Sequence, residues 1–161
     1  MAYGVVRTDN LSGIIDGARL ATVHFYDGNG AAAAIENGNI ISLNGLDEPG
    51  VYKAIAPTAQ QGLGKLGLVA GVELFYDRKF KSLDEFINPA GAEVRVYILK
   101  SGDVFSVTAD ALSAAPAAST VGVEVQAGTK LKVATALTNA VAEYLGSDVE
   151  NGYTYYKFRV I

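Results

Sequence analysis

Six charged side chains crowd one short stretch of FYDRKFKSLDEFINPAG, residues 75–91: Asp77, Asp84 and Glu85 against Arg78, Lys79 and Lys81. Neighbouring carboxylates can divide acid and base roles when their surroundings push their pKa values apart. A carboxylate-dependent hydrolase is the chemistry such a set would support. The local pattern supplies a plainer account. Ser82 followed three residues later by Glu85 is a capping box, in which each side chain satisfies a backbone N–H at a helix start. Leu83, Phe86 and Ile87 fall at i, i+3, i+4, one apolar face of a two-turn helix. Asp84 and Glu85 lie in its first turn, where the dipole favours negative charge. As helix neighbours they point about 100° apart. Asn88-Pro89 and Gly91 end the helix. A capped helix therefore accounts for both carboxylates without catalysis.

Other chemical signatures are weaker. GLGKLG matches G-x-G-x-x-G at Gly62, Gly64 and Gly67. A dinucleotide loop works only between a strand and a helix N-terminus. Here APTAQQ precedes the glycines and a strand-like run follows, so they read as loop glycines before a strand. YDGNG opens like a calcium loop at Asp27 and Asn29, but residues 30–34 supply no third oxygen side chain. A tight turn is the expectation. His24 is the single histidine, which removes multi-histidine metal sites, and no G-x-S-x-G elbow accompanies it. It reads as a strand histidine beside Thr22 and Tyr26. Tyr153, Tyr155 and Tyr156 beside Lys157 and Arg159 could stack bases over phosphate contacts, yet β propensity alone explains them. No catalytic, cofactor or metal residue is assigned, and the chain is read as non-enzymatic.

The elements behind these residues are strands. In LATVHFY, Ala21, Val23 and Phe25 share one face; in AEVRVYIL, Val94, Val96 and Ile98 line up opposite Glu93 and Arg95. YTYYKFRVI places Tyr156, Phe158 and Val160 on one side and Lys157 and Arg159 on the other. KLGLVAGVELFY is apolar almost throughout, as expected of a strand covered on both faces. The fold class is all-β: a sandwich or barrel of about nine or ten strands, with one short helix and an extended N-terminal arm. Two hairpins can be registered. Asn37-Gly38 suits a two-residue type I′ turn, pairing Glu36 with Asn39 and Ile35 with Ile40. A three-residue loop at Ala127-Gly128-Thr129 sets Val125 against Leu131, Val123 against Val133 and Glu124 against Lys132. A shorter loop would put Val125 opposite Lys130, exchanging the buried face for the wet one. SGDVFSV reads as a turn feeding a strand, and residues 108–120 as an Ala/Ser-rich loop with a helical turn.

Residues 1–18 show no sustained periodicity, yet Tyr3, Val5, Val6, Leu11, Ile14 and Ile15 make them too apolar for an idle tail. They are read as an arm preceding a single β domain at 19–161. The chain-end strand, flat and aromatic, would be an aggregation hazard as an open edge, so it should be paired or covered.

A chain of 161 residues with 50% hydrophobic content and a mean hydropathy of +0.21 supports one folded core. A net charge of −4 argues against a basic footprint for nucleic acid or anionic membrane. There is no cysteine, hence no disulfide or thiolate metal site. The start MAYGVVRTDN lacks the pattern of a signal peptide, and no run approaches the ~20 apolar residues of a membrane helix.

The blocks MAYGVVRTDNLSG, AIENGN, VYKAIAP, SLDEFINPAG, SGDVFSVTADAL, AGTKLKV and YTYYKFRVI together resemble a family. It comprises small virion proteins of tailed bacteriophages and prophages, encoded near the major capsid gene in phages of Gram-positive bacteria. The resemblance covers most of the chain and rests on the number and order of blocks; residues 114–120 and 61–67 fall outside it. It implies a head decoration protein, without cofactor, that binds the major capsid protein on the assembled shell and stabilises it. Its place would be the capsid surface of a virion assembled in the host cytoplasm, with a homo-oligomer as one option. Another virion subunit, such as a tail tube or head fibre base, is the alternative. In the decoration reading Tyr3, Val5, Val6, Leu11, Ile14 and Ile15 are the candidates for burial against the shell or a sister copy.

Overall fold

Period-two alternation becomes ten strands in the computed structural model, which describes residues 2–7, 19–59, 61–74 and 82–161. They are β1 (Leu20–Tyr26), β2 (Ile40–Glu48), β3 (Val51–Ile55), β4 (Leu66–Val69), β5 (Val94–Ile98), β6 (Val104–Val107), β7 (Gly122–Glu124), β8 (Lys132–Ala134), β9 (Ala140–Glu150) and β10 (Tyr153–Val160). β1 to β5 close into a barrel in the order β1-β3-β2-β4-β5, and β6 to β10 form a second sheet, β6-β10-β9-β7-β8. The all-β expectation holds, in the form of a barrel and a five-stranded sheet. β1 and β3 run parallel, Thr22 opposite Val51; β5 closes the ring antiparallel to β1, Val23 opposite Val94.

Two cores follow from the alternation. Ala21, Val23, Phe25, Ile41, Ala54, Val69, Val94 and Val96 pack together as the barrel's filling. Ile40, Leu66 and Leu68, on the opposite faces of β2 and β4, pack instead with Phe105, Val107, Val123, Ala142, Phe158 and Val160 from the second sheet. Every residue of β4 is buried, because one face fills the barrel and the other meets the sheet. Each fully buried aliphatic side chain contributes roughly 1.5–3 kcal/mol before ordering costs. Gly67 is a strand residue rather than a loop glycine: a Cβ there would lie 3.1 Å from Ile41 Cδ1 and 3.3 Å from Val96. Phe105 and Phe158 stack tilted at 5.5 Å between centroids.

Several registers match the sequence reading. Val123 faces Val133 and Glu124 faces Lys132, with an ion pair between the latter two. β10 lies between β9 and β6, so the aromatic chain end is a central strand. Asp27 Oδ1 accepts the Asn29 and Ala31 N–H groups at 2.8 and 2.9 Å, closing the turn expected in YDGNG. Ala109–Ala111 forms a 3-10 turn in the Ala-rich loop.

Two further expectations are corrected. The helix at 82–88 is a single 3-10 turn, Leu83–Glu85, keeping its capping box but ending at Phe86 in extended backbone. Asn88 stands before a proline, which disfavours helical backbone, and pairs with Ile35 through reciprocal N–H···O bonds of 3.0 Å. The Asn37-Gly38 hairpin does not form either. Gly38 has φ of +80° while Asn37 stays negative, and a type I′ turn needs both positive. Ile35 bridges to Asn88 rather than Ile40. Asn37 is 1% exposed and its amide joins segments distant in sequence. Its Oδ1 accepts Gly71 N–H and Asn88 Nδ2, both at 2.9 Å, and its Nδ2 donates to Gly71 O at 3.0 Å and Glu73 Oε1 at 3.2 Å. Of the expected arm, residues 2–7 are described. Residues 2–7 lie along β6, bridged at Val6 and Val107, and belong to the body of the domain.

Candidate functional site

Tyr3, Val5 and Val6 can be placed in the described chain, while Leu11, Ile14 and Ile15 lie outside the described residues, as do Asp77, Arg78, Lys79 and Lys81. Val5 and Val6 are 2% and 4% exposed. Their segment is tied down throughout: Tyr3 N–H donates to Asp84 O, Thr108 N–H to Val5 O and Arg7 N–H to Ser106 O, at 2.9 to 3.0 Å. Gly4 N–H donates to the Glu36 carboxylate at 3.0 Å and Val5 N–H to the Thr108 hydroxyl at 3.1 Å. Arg7 pairs with Glu150 and lies over the Tyr155 ring. Val5 and Val6 therefore close the chain's own core and are withdrawn from any outside surface. Tyr3 is half-buried.

The described carboxylates of the charged stretch are engaged in hydrogen bonds, one within the turn and one to a distant tyrosine. Glu85 accepts the Ser82 N–H at 3.2 Å. Asp84 accepts the Tyr153 hydroxyl at 3.0 Å; the Ser82 hydroxyl first and Tyr153 second hold its carboxyl below the usual range. Glu73 shows the opposite displacement: burial pushes its carboxyl up, against the Asn37 amide bond that pulls it down.

A polar cluster that the sequence reading did not assemble sits where β1 meets the end of β2. His24 Nδ1 lies 2.9 Å from Asp47 Oδ2 and 3.6 Å from Glu48 Oε1. The Tyr26 hydroxyl donates to the same Asp47 oxygen at 2.6 Å, and Lys53 Nζ stands 4.7 Å from the centre of the Tyr26 ring. His24 and Tyr26 share a face of β1 by simple alternation, and Lys53 is opposite His24 on β3. Only their meeting with residues more than twenty positions away was invisible. Tyr26 first and His24 second hold the Asp47 carboxyl low, and Asp47 pushes the Tyr26 hydroxyl up.

Two hairpins overhang their sheets. β2 pairs with β4 only over Ile40–Ser42, and its remainder continues against β3 with irregular register. β9 pairs with β7 only up to Glu143, so among the described residues Gly146–Glu150 pairs with β10 alone, with Leu145 at a bulge. These overhangs carry apolar side chains in water: Leu46 is 65% and Val149 69% exposed, with Leu145 exposed beside it. An open backbone edge with apolar neighbours is the arrangement that adds a strand from another chain.

No protein-family model, curated protein or solved structure matches this chain.

Proposed function

We propose that the chain is a bacteriophage head decoration protein, which binds the major capsid protein on the assembled shell and stabilises it. The observation that carries this reading is the ordered set of sequence blocks, from MAYGVVRTDNLSG to YTYYKFRVI, resembling virion proteins encoded near the capsid gene. The geometry supports it by offering overhanging hairpins and by engaging Glu85 with Ser82 and Asp84 with the Tyr153 hydroxyl. It also moves the adhesive surface. With Val5 and Val6 inside the core, docking falls to the free edge of β9 at Leu145–Glu150 and to Leu46. Many equivalent shell sites then give avidity from modest single contacts.

The test is co-sedimentation of the purified chain with bare capsids, comparing the wild type with a Leu145→Lys, Val149→Lys double variant. Saturable binding lost in the folded variant supports the reading. Immunogold labelling of whole particles separates the rival: label on the head agrees with decoration, whereas label confined to the tail replaces it with a tail subunit.

A further inference from the structure

The geometry points to a divalent metal site of the zinc class formed by His24, Asp47 and Glu48, a ligand set of one imidazole and two carboxylates. The ligand atoms of the three residues lie within 4.8 Å of one another. Tetrahedral zinc with bonds of about 2.0–2.1 Å sets its ligand atoms roughly 3.3 Å apart. The two distances from His24 Nδ1, 2.9 Å to Asp47 and 3.6 Å to Glu48, bracket that spacing.

The backbone explains how two adjacent carboxylates come to face one imidazole. Consecutive residues of a regular strand point to opposite faces, so Asp47 and Glu48 should not both reach one imidazole. They do because the β2–β3 register shifts between Leu43 and Leu46 and again between Leu46 and Glu48. A bulge that re-aims a side chain is characteristic of strands beside functional sites. Tyr26 donates its hydroxyl to that same Asp47 Oδ2 at 2.6 Å, orienting the carboxylate as outer-shell partners of metal ligands do. Asp47 and Glu48 are exposed and His24 is half-buried, which leaves the cation an entry path and a fourth position for water. Nitrogen beside oxygen ligands favours zinc or manganese over magnesium, which prefers oxygen alone and keeps its waters. A bound ion would fasten the β2–β3 overhang, and with it Leu46, to β1. The site stands on these residues whether or not the chain decorates a capsid.

The experiment uses the full chain stripped with chelator and titrated with Zn2+, with Mg2+ as control, by calorimetry and by imidazole ¹⁵N NMR. Because His24 is the sole histidine, one imidazole signal reports the site without assignment. Expected are one Zn2+ per chain, a shift of that imidazole at the same stoichiometry and at least tenfold weaker Mg2+ binding. His24→Gln should abolish saturable binding, and Tyr26→Phe should weaken it roughly 10-fold. An imidazole signal unmoved by millimolar Zn2+, or affinity unchanged within twofold in folded His24→Gln, overturns the assignment and leaves an ordinary histidine–carboxylate pair. The wild-type NMR titration decides the matter even where a variant fails to fold.

Discussion

Replacing Asn37 by alanine tests the buried amide network. The side chain makes four hydrogen bonds, to Gly71 N–H and C=O, to Asn88 Nδ2 and to Glu73. Alanine leaves the two Gly71 groups and one Asn88 N–H without their partner, in a region where Asn37, Gly71 and Asn88 are all buried. A buried polar group deprived of its partner costs about 1–3 kcal/mol, so with one of the three rescued by water the remaining two put the loss at about 2–6 kcal/mol. Against a typical total of about 5–15 kcal/mol, that is a large fraction. Urea unfolding followed by fluorescence and circular dichroism gives the midpoint and slope; the midpoint should fall with the slope unchanged. Asn37→Asp is the informative companion. It keeps both acceptor bonds but turns a carboxylate oxygen towards Gly71 O and Glu73, so it too should destabilise, and more at neutral than at acid pH. A loss below about 1 kcal/mol for Asn37→Ala would refute the reasoning, showing that the three segments are held by their backbones alone.

Other outcomes follow from the same packing. The folded state raises the Glu73 carboxyl, so the stability this group contributes is full below its unfolded pKa and is lost as pH rises through the folded one. Glu73→Gln should therefore gain stability over the wild type from pH 4 to 7, read as a widening gap in unfolding midpoint; a constant gap contradicts it. Gly67→Ala pushes a methyl against Ile41 and Val96 and should cost about 1–3 kcal/mol by overpacking, measured by denaturant unfolding. Val5→Ala and Val6→Ala should each cost about 1.5–3 kcal/mol. At about 2–4 °C per kcal/mol for a chain of this size, calorimetry resolves either; an unchanged Tm would return these residues to an outside role.

What the sequence made legible were features set by neighbours along the chain. The faces of β1 and β5 follow from strict alternation, and the β7–β8 register follows from loop length combined with which face is apolar. What it hid was decided at long range. Asn37-Gly38 has the local chemistry of a hairpin turn, but Gly71 and Asn88 offer a buried amide more than a tight turn does. The capping box at Ser82 starts a helix that Pro89 and the Ile35 pairing stop after one turn. Of the apolar N-terminal residues, Val5 and Val6 are buried in the chain's own core, and the elements that bury them, β6 and the 3-10 turn after it, are about a hundred positions away. The His24 cluster depended on an irregular strand, and no period in the sequence announces a bulge.

β1 is joined in parallel to β3 and antiparallel to β5, so the first barrel strand is also the seam of the ring. During synthesis it leaves the ribosome with neither flank satisfied, and its second flank waits until residues 94–98 emerge. Translation at about 5–20 residues per second keeps that seam open for several seconds. Pairings this remote in sequence form slowly, so the step most exposed to misassociation is ring closure. A pause in translation before residue 94 should raise the aggregated fraction, whereas one after residue 98 should not.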